Sequence, residues 1–339
     1  MKRTKKWWRM LALTLIVALL TVGCGTNPSA TTSQNNGGPH KLKVALLLPG
    51  PINDNGWDSV AYQGLKKAES ELGVETAYRE NVSQSDMESA FRSFAQQNYD
   101  VIIGHGFQFG DAAKAVAKDF PNTKFVVTSS SISQTPNLAS LNVLSYQAGF
   151  LGGVVAAMAT HSKKVAYIGG QEIPPILEGL KGFKEGVNFI DATVSVTGTN
   201  TGSFDDVAKA KETAKTLINQ GADVVFGNAN QAGLGVIDAA KDAGVYAIGW
   251  GADQSSVAPN TVIASGLQIY PVAIYTIVKV IQDGKFEPKF YPMGIKEGAI
   301  GLALNQGMIS KLPAGSEAKI NQIIADIKSG KLDPEHPNK

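Results

Sequence analysis

Cysteine is nearly absent from this chain, which has one, Cys24, among 339 residues. A single cysteine excludes a disulfide within the chain. The four histidines lie far apart in the sequence, at His40, His105, His161 and His336. Zinc sites need clustered Cys and His ligands, and the sequence has no such cluster. We therefore expect no disulfide scaffold, no metal centre and no bound cofactor.

Signatures of common enzyme classes are missing as well. The sequence has no P-loop, no G-x-G-x-x-G after the first predicted strand, no G-x-S-x-G and no H-E-x-x-H. An extracellular hydrolase therefore lacks a recognisable nucleophile–base pair or metal cluster. These absences favour a binding protein over an enzyme.

An excess of positive charge is lacking outside the N-terminus. The formal net charge is +2, from 31 basic and 29 acidic residues. Five of the basic residues fall in the first nine positions, so the rest of the chain carries 26 basic against 29 acidic residues. A slightly acidic body gives no electrostatic basis for binding nucleic acid. The composition, 43% hydrophobic and 18% charged, is that of a globular protein.

The N-terminus has the pattern of an export signal. Basic residues 1–9 precede an apolar run from Met10 to Val22, which is shorter than the ~20 residues that a membrane-spanning helix needs. The run ends at Gly23-Cys24, which resembles a bacterial lipobox with Thr21 where leucine is usual. We predict a signal peptide over 1–23, lipidation at Cys24 and a position on the outer face of the cell membrane. An ordinary signal peptide with a coincidental cysteine is the alternative.

Residues 24–40 have the composition of a tether. The stretch 25–39 reads GTNPSATTSQNNGGP, and such residues cannot bury enough apolar surface to fold. We therefore predict a lipidated flexible tether over 24–40, with the folded body beginning near Lys41.

Beyond the tether, short apolar runs alternate with helical patterns. Leu42–Leu48 predicts a buried strand, and the apolar positions from Trp57 to Leu72 share one face of a helix. The alternation continues for roughly ten units, which predicts βαβ connections and parallel sheets. Ten strands are more than a single open sheet usually contains. The fold class is therefore α/β, with two lobes that each contain a parallel sheet flanked by helices.

The lobe boundaries are predicted from the strands at which the chain is expected to cross from one lobe to the other. Crossings are placed near Leu141–Leu144, Val262–Ser265 and Phe290–Met293. Lobe 1 then comprises residues 41–145 plus about 262–289. Lobe 2 comprises residues 146–261 plus about 290–339.

Candidate ligand-binding residues follow the strands, because open parallel sheets bind ligands beyond the carboxyl ends of their strands. The predicted loops there contain aromatic, amide and carboxylate side chains and no basic ones. The candidates are Asp54, Trp57, Asp58, His105, Phe107, Asp111, Phe204, Asn230, Gly233, Asp253 and Gln268. This lining favours a neutral, flat, hydrogen-bonding ligand over a phosphate, which needs Lys or Arg beside helix-terminal glycines.

Several of these candidates also have a structural interpretation. Trp57 is interpretable as a core anchor, Asp58 as a helix cap and Phe204 as a hydrophobic staple. His105 lies between two glycines and is interpretable as a polar loop residue or as a metal ligand. The sequence leaves these alternatives open.

The loops resemble those of a known family. The segment Asp54-Asn55-Gly56-Trp57-Asp58 resembles Asp-Lys-Ser-Phe-Asn in the basic membrane protein family of lipoproteins, and Gly202-Ser203-Phe204-Asp205 and Asp253-Gln254 match the same family. The resemblance extends from Lys41 to about Lys328. It implies a type I periplasmic-binding-protein fold and a monomeric substrate-binding protein of an ABC importer, with a permease and an ATPase as partners. Several members of the family bind purine nucleosides.

The resemblance also implies roles for single residues. In the purine-nucleoside binders an aromatic ring from each lobe sandwiches the base, and Trp57 and Phe204 occupy those positions. Asp111 matches the acid that bonds the base, and Asp58 stands where the family has asparagine. The resemblance therefore implies a purine base, nucleoside or similar heterocycle as the ligand.

The sugar-binding positions depart from the family pattern. The family's sugar-contacting aspartate aligns with Gly251 and its ribose-binding lysine aligns with Gln268. The turn before Gly233 is altered to Asn230-Gln231-Ala232. We therefore expect free purine bases to compete with their nucleosides on even or better terms. Compensation by Asn230 or Gln231 is the alternative.

A second resemblance points to regulation. Gly104-His105-Gly106 and Tyr246-Ala247-Ile248-Gly249 are similar to Med, a membrane-associated competence regulator of the same family. A regulatory or sensory lipoprotein that is not dedicated to transport is therefore the alternative function.

Overall fold

The structure is a computed structural model that describes residues 41–53 and 57–337. The predicted signal peptide and tether, the lipidation site Cys24 and the candidate Asp54 lie outside the described residues. None of the helices in the described part has the length and apolar composition of a membrane-spanning segment.

Strands and helices alternate along the described chain, as the sequence predicted. The strands are β1 (Lys43–Leu47), β2 (Glu75–Arg79), β3 (Val101–Gly104), β4 (Lys124–Thr128), β5 (Leu138–Val143), β6 (Lys164–Gly169), β7 (Ser195–Asn200), β8 (Val224–Asn228), β9 (Tyr246–Gly251), β10 (Val262–Gln268), β11 (Phe290–Met293) and β12 (Ile300–Leu304). The helices are α1 (Trp57–Leu72), α2 (Met87–Gln96), α3 (Gly110–Ala117), α4 (Ser145–Ala159), α5 (Pro174–Ile190), α6 (Val207–Asn219), α7 (Gly233–Ala243), α8 (Tyr270–Gln282) and α9 (Ser316–Ser329).

The strands form two six-stranded sheets. The first has the order β11-β5-β4-β3-β1-β2 and is parallel throughout. The second has the order β12-β10-β9-β8-β6-β7, in which only β12 runs antiparallel to its neighbour. The buried strands are runs of Val, Ile, Leu and Ala, which suits strands covered by helices on both faces. The predicted α/β class with two sheets is confirmed.

The second and third crossings differ from the predicted ones. The strand at Val262–Ser265 was assigned to lobe 1, but β10 pairs with β9 in the second sheet. Phe290–Met293 was assigned to lobe 2, but β11 pairs with β5 in the first sheet. The chain therefore returns to the first sheet after β10, through α8, which packs against α1. A short apolar strand fits either sheet equally well by composition, so its sheet is decided by pairing alone.

Hydrogen bonds join the three crossings to one another. The N–H of Leu144, at the first crossing, donates to the carbonyl of Met293 at the third (3.0 Å). At the second crossing, the N–H of Ile269 donates to the carbonyl of Ala299, also in the third (2.8 Å). The Gln147 side chain adds another link by accepting from the N–H of Ile295 (2.7 Å). We call this set of bonded crossings the hinge.

Candidate ligand-binding site

The first sheet places Trp57 at the carboxyl end of β1. Pro49, Gly50 and Pro51 end the strand's run, and α1 begins at Trp57 itself. The indole is half-buried and packs against the main hydrophobic core, so part of it stays open to solvent. Trp57 is thus attached to the core at one side and open to solvent at the other.

The ring of His105 packs against the ring of Trp57. The two ring centroids are 3.7 Å apart with the planes tilted by 32°. His105 follows β3 and is completely buried. Its Nε2 lies 3.2 Å from the carbonyl oxygen of Trp57, and its Nδ1 lies 2.9 Å from the hydroxyl of Thr128. Both ring nitrogens are therefore bonded within the protein.

These partners fix the protonation of His105. A carbonyl oxygen only accepts, so Nε2 carries the proton and donates to Trp57. Nδ1 then accepts from the hydroxyl of Thr128, whose oxygen in turn accepts from the N–H of Gly106 (2.9 Å). Burial lowers the pKa of His105 to about 3, and the bond to Trp57 only partly opposes it. The ring is a neutral support at physiological pH.

Tyr270 completes the aromatic cluster from a distant part of the chain. It begins α8 directly after the second crossing and is 2% exposed. Its ring stands edge-on to His105 (centroids 5.0 Å apart) and to Trp57 (6.2 Å). Its hydroxyl lies 3.0 Å from that of Ser129. Burial raises the pKa of the phenol, and hydrogen bonding to Ser129 and Trp57 opposes the rise.

The other candidates of the first lobe lie around this cluster at the ends of β1 and β3. Asp58 is 7% exposed, and its carboxylate lies so close to Gly50 that any side chain there would clash with it. Phe107 is 48% exposed. Asp111 is exposed in the first turn of α3. The structure thus brings one buried and one exposed carboxylate to the same edge of the sheet.

The second sheet places Phe204 at the carboxyl end of β7. The half-buried ring lies over Gly170, where an added Cβ would clash with it. The carbonyl of Phe204 accepts from the N–H of Ala232, in the turn after β8 (2.8 Å). Phe204 is therefore held between the loops that follow β6 and β8.

The remaining candidates of the second lobe differ in their surroundings. Asn230 is exposed, with a φ of 48°, and Gly233 is buried at the start of α7. Asp253 is exposed and accepts from the N–H of Ser255 (2.9 Å), as a turn residue does. The Gln268 amide donates to the hydroxyl of Ser145 (3.1 Å), which places it at the hinge.

Sequence reasoning missed several polar and aromatic residues at this edge because they lie within strands or begin a helix. Asn228 ends β8, is 2% exposed and donates to the hydroxyl of Tyr167 (2.7 Å), which donates to the carbonyl of Ile176 (3.0 Å). Trp250, in β9, is half-buried with its ring edge-on to Phe226. A signal was available for Asn228, since an asparagine that ends an apolar strand places a polar group at the carboxyl edge of the sheet.

Among the residues that the structure describes, no group of His, Cys, Asp and Glu side chains is arranged to hold a metal ion. The carboxyl edges of the two sheets instead present half-buried aromatic rings, carboxylates and amides. Such surfaces bind by stacking and hydrogen bonding.

A comparison with family models decides the affiliation of the chain. The model described as ABC transporter substrate-binding protein PnrA-like matches residues 41–332. The chain belongs to the Bmp family. The family is described as one of substrate-binding proteins of ABC transporters, and the resemblance to basic membrane proteins predicted from the loops is confirmed.

Three relatives of this Bmp family protein have different functional names. The transcriptional activator protein Med of Bacillus subtilis is 29% identical over 82% of this chain and 84% of its own. The ABC transporter nucleoside-binding protein BmpA of Lactococcus lactis is 29% identical over 95% and 96%. A purine-binding protein of Brucella abortus is 29% identical over 87% and 83%.

Solved structures give the same fold. A transcriptional activator of the comK gene from Bacillus halodurans superposes with a TM-score of 0.75 at 26% identity, covering 86% of this chain and 99% of that one. A solute-binding protein of an ABC transporter system from Aeropyrum pernix has a TM-score of 0.72 at 26% identity, covering 86% and 92%. The predicted two-lobed type I periplasmic-binding-protein fold is confirmed.

Proposed function

We propose that this protein is the lipid-anchored, extracytoplasmic solute-binding protein of an ABC importer, and that it captures a purine base, nucleoside or similar heterocycle between its lobes. The observation that carries the proposal is the pair of half-buried rings, Trp57 and Phe204, each fixed at the carboxyl edge of a different sheet. The names of the Lactococcus and Brucella relatives support the ligand class.

The chemistry of the two rings suits a flat base. Stacking a base on an aromatic ring contributes ~1–3 kcal/mol for each base, judged by alanine substitution. Trp57 is already braced by His105 at a centroid separation of 3.7 Å, so little conformational freedom remains to be lost on binding. Carboxylates accept hydrogen bonds from N–H groups. We therefore assign Asp58 and Asp111 to the ring N–H and amino groups of the base.

The sugar is the part of a nucleoside that this chain is least equipped to bind. Gly251 has a φ of 88°, and an added Cβ there would meet nothing within 4 Å, so that position offers open space and no side chain. Gln268 offers a neutral amide whose nitrogen already donates to Ser145. Hydrogen bonds to charged groups contribute about 1.5–3 kcal/mol each. Without them, free bases should bind as tightly as nucleosides or more tightly.

Titration calorimetry tests the proposal directly. Adenine, guanine and hypoxanthine would be titrated against adenosine, guanosine and inosine, after the protein has been unfolded and refolded to remove any ligand. Mass spectrometry of the released small molecules identifies what the cell supplied. Binding of at least one base at micromolar or lower Kd is expected. A nucleoside that binds a hundredfold more tightly than its base would refute the preference for bases, and no binding by any of the six would refute the ligand class.

Regulation is the second candidate function, and one observation favours it. The Bacillus subtilis activator Med is as similar to this chain as the nucleoside-binding transporter protein, at 29% identity. Deletion of the gene separates the two functions. Loss of radiolabelled adenine uptake supports transport, whereas unchanged uptake with altered transcript levels supports regulation.

A further inference from the structure

Three consecutive residues connect the hinge to the aromatic cluster. Gln268 donates from its side chain to Ser145 at the first crossing (3.1 Å), and Ile269 donates from its backbone to Ala299 in the third (2.8 Å). The next residue, Tyr270, contacts the rings of Trp57 and His105. The second crossing is thus bonded to both other crossings and to the ring cluster within one short segment.

We propose that Tyr270 is a positioning residue that couples the Trp57 ring to the hinge, so that a change in the crossings changes the position of the ring. The segment Gln268-Ile269-Tyr270 transmits the change. The functional meaning of this coupling rests on the proposed function, because it presumes that Trp57 contacts the ligand. The coupling itself is a property of the ligand-free protein.

The segment is stiff enough to transmit a displacement. Pro271 follows Tyr270 in the first turn of α8, and its ring fixes the backbone there. Tyr270 is held by burial and by the hydroxyl contact to Ser129 at the end of β4. A packed aromatic side chain with a satisfied hydroxyl moves with its backbone rather than by a change of rotamer.

Contacts on several sides constrain Trp57, so a displacement of Tyr270 affects it. Its backbone carbonyl accepts from His105, its face packs on the His105 ring and its edge meets Tyr270. His105 is itself held by Thr128. Because Tyr270 directly follows the second crossing, a rearrangement of that crossing changes the contacts that Tyr270 makes at the edge of the indole, while the other side of the indole stays fixed by His105.

Fluorescence of Trp57 in the absence of ligand tests the coupling. The chain has four tryptophans, Trp7, Trp8, Trp57 and Trp250, so replacement of the other three by phenylalanine leaves Trp57 as the sole reporter. In this background Tyr270→Phe removes the hydroxyl and keeps the ring. Quenching of Trp57 by acrylamide should increase about twofold, because a side chain released from a hydrogen-bonded network opens more readily to solvent. Ser129→Ala removes the same bond from the other side and should act alike.

Gln268→Ala is the decisive variant, since Gln268 bonds to Ser145 in the hinge rather than to the ring cluster. Coupling predicts increased quenching of Trp57 in this variant too. The control is Thr123→Val, which removes another buried hydroxyl, bonded to the carbonyl of Tyr99 (3.0 Å) at the opposite end of β4 from Ser129, and should leave the quenching unchanged. If Gln268→Ala leaves Trp57 at the parent value, ring and hinge are independent and the proposal is wrong.

A ligand measurement then separates this proposal from the proposed function. With adenine as the probe, Tyr270→Phe should raise the Kd at least threefold while Thr123→Val does not. If adenine does not bind the parent protein but Gln268→Ala still changes Trp57 quenching, the coupling stands and the ligand class falls. If adenine binds the parent and the Tyr270→Phe variant equally, and quenching is unchanged, the coupling falls and the ligand class stands.

Discussion

Gly153 on α4 faces the carbonyl oxygen of Phe183 on α5 so closely that a Cβ at Gly153 would lie well inside the 3.0 Å that real Cβ atoms keep. The same contact recurs along this helix pair, where Gly149 faces Gly179, Gly182 faces Tyr146 and Gly186 faces Phe150. The two backbones therefore touch along their length. Because α4 begins at the first crossing, this packing also fixes one side of the hinge.

Gly153→Ala should destabilise the protein strongly. The new methyl group meets backbone, which cannot rotate away, so overpacking should cost about 3 kcal/mol or more. Gly152→Ala is the matched control, since the atoms nearest to its Cβ would belong to the Phe226 ring, at 3.3 Å. The control should be near neutral, because the helix propensity gained, about 1 kcal/mol, offsets mild crowding. Chemical denaturation of both variants measures the difference, and equal stabilities would contradict the close approach.

His105 should make the free energy of unfolding decrease as the pH decreases. The folded pKa is lowered to about 3, whereas the unfolded chain titrates near 6.5. Below pH 6.5 the unfolded state binds the proton and the folded state does not, so stability is fully present above that pH and is lost as the pH falls towards 3. Between pH 7 and pH 5 this group alone should lower the free energy of unfolding by about 2 kcal/mol.

The contribution of His105 is isolated by comparing pH profiles rather than single values. His105→Gln should have a lower stability at pH 7 but a flatter profile between pH 7 and pH 5. The exposed His161 provides the control, and His161→Gln should keep the slope of the parent protein. A His105→Gln variant with the parent slope would show that His105 is charged or solvated in the folded state.

Replacing Trp57 or Phe204 should lower the affinity for the ligand more than it lowers the stability of the fold. Trp57→Ala and Phe204→Ala should each weaken adenine binding by about tenfold or more, as expected for loss of ~1–3 kcal/mol of stacking. Phe189→Ala is the control, because Phe189 is a half-buried aromatic residue near the far end of α5. A collapse of the Tm in Trp57→Ala, with adenine affinity retained, would show that Trp57 is a core anchor instead.

Lipidation at Cys24 is predicted from the sequence and lies outside the described residues. Cys24→Ser should release the protein from the membrane fraction, because the lipid on Cys24 is the proposed anchor. Thr21→Leu restores the residue usual at that position of a lipobox and should leave the protein in the membrane. Fractionation followed by immunoblotting compares the variants, and a Cys24→Ser protein that stays in the membrane would overturn the lipobox interpretation.

The sequence revealed most of the fold because the buried strands are short apolar runs with clear ends. Leu42–Leu48 and Val101–Gly104 are of this kind, and both strands are buried. Sequence analysis did not predict β2, Glu75–Arg79, because it is a polar edge strand with half-exposed side chains. An edge strand is stabilised by its single neighbour, here β1, and leaves little hydrophobic pattern of its own.

The site was less predictable because its contacts are distant in sequence. His105 between two glycines was interpretable as a loop residue or metal ligand, yet it is buried with partners 23 and 48 residues away. Tyr270 was not a candidate at all, since its hydroxyl partner lies 141 residues away. No local sequence pattern predicts partners so distant in the chain. The positions of Trp57 and Phe204 could be predicted, because each residue follows a strand that is recognisable in the sequence.

β11 and β12 are the outer strands of the two sheets, beside β5 and β10. Both follow β10 in the chain, so during synthesis from the N-terminus β5 and β10 stay edge strands until residues 290–304 emerge. β5 and β10 are mostly buried apolar strands, and an exposed apolar edge strand is a template for wrong partners. β11 contains Pro292, which has no N–H to offer a further strand. The C-terminal segment therefore covers one buried strand in each lobe at the same stage of synthesis.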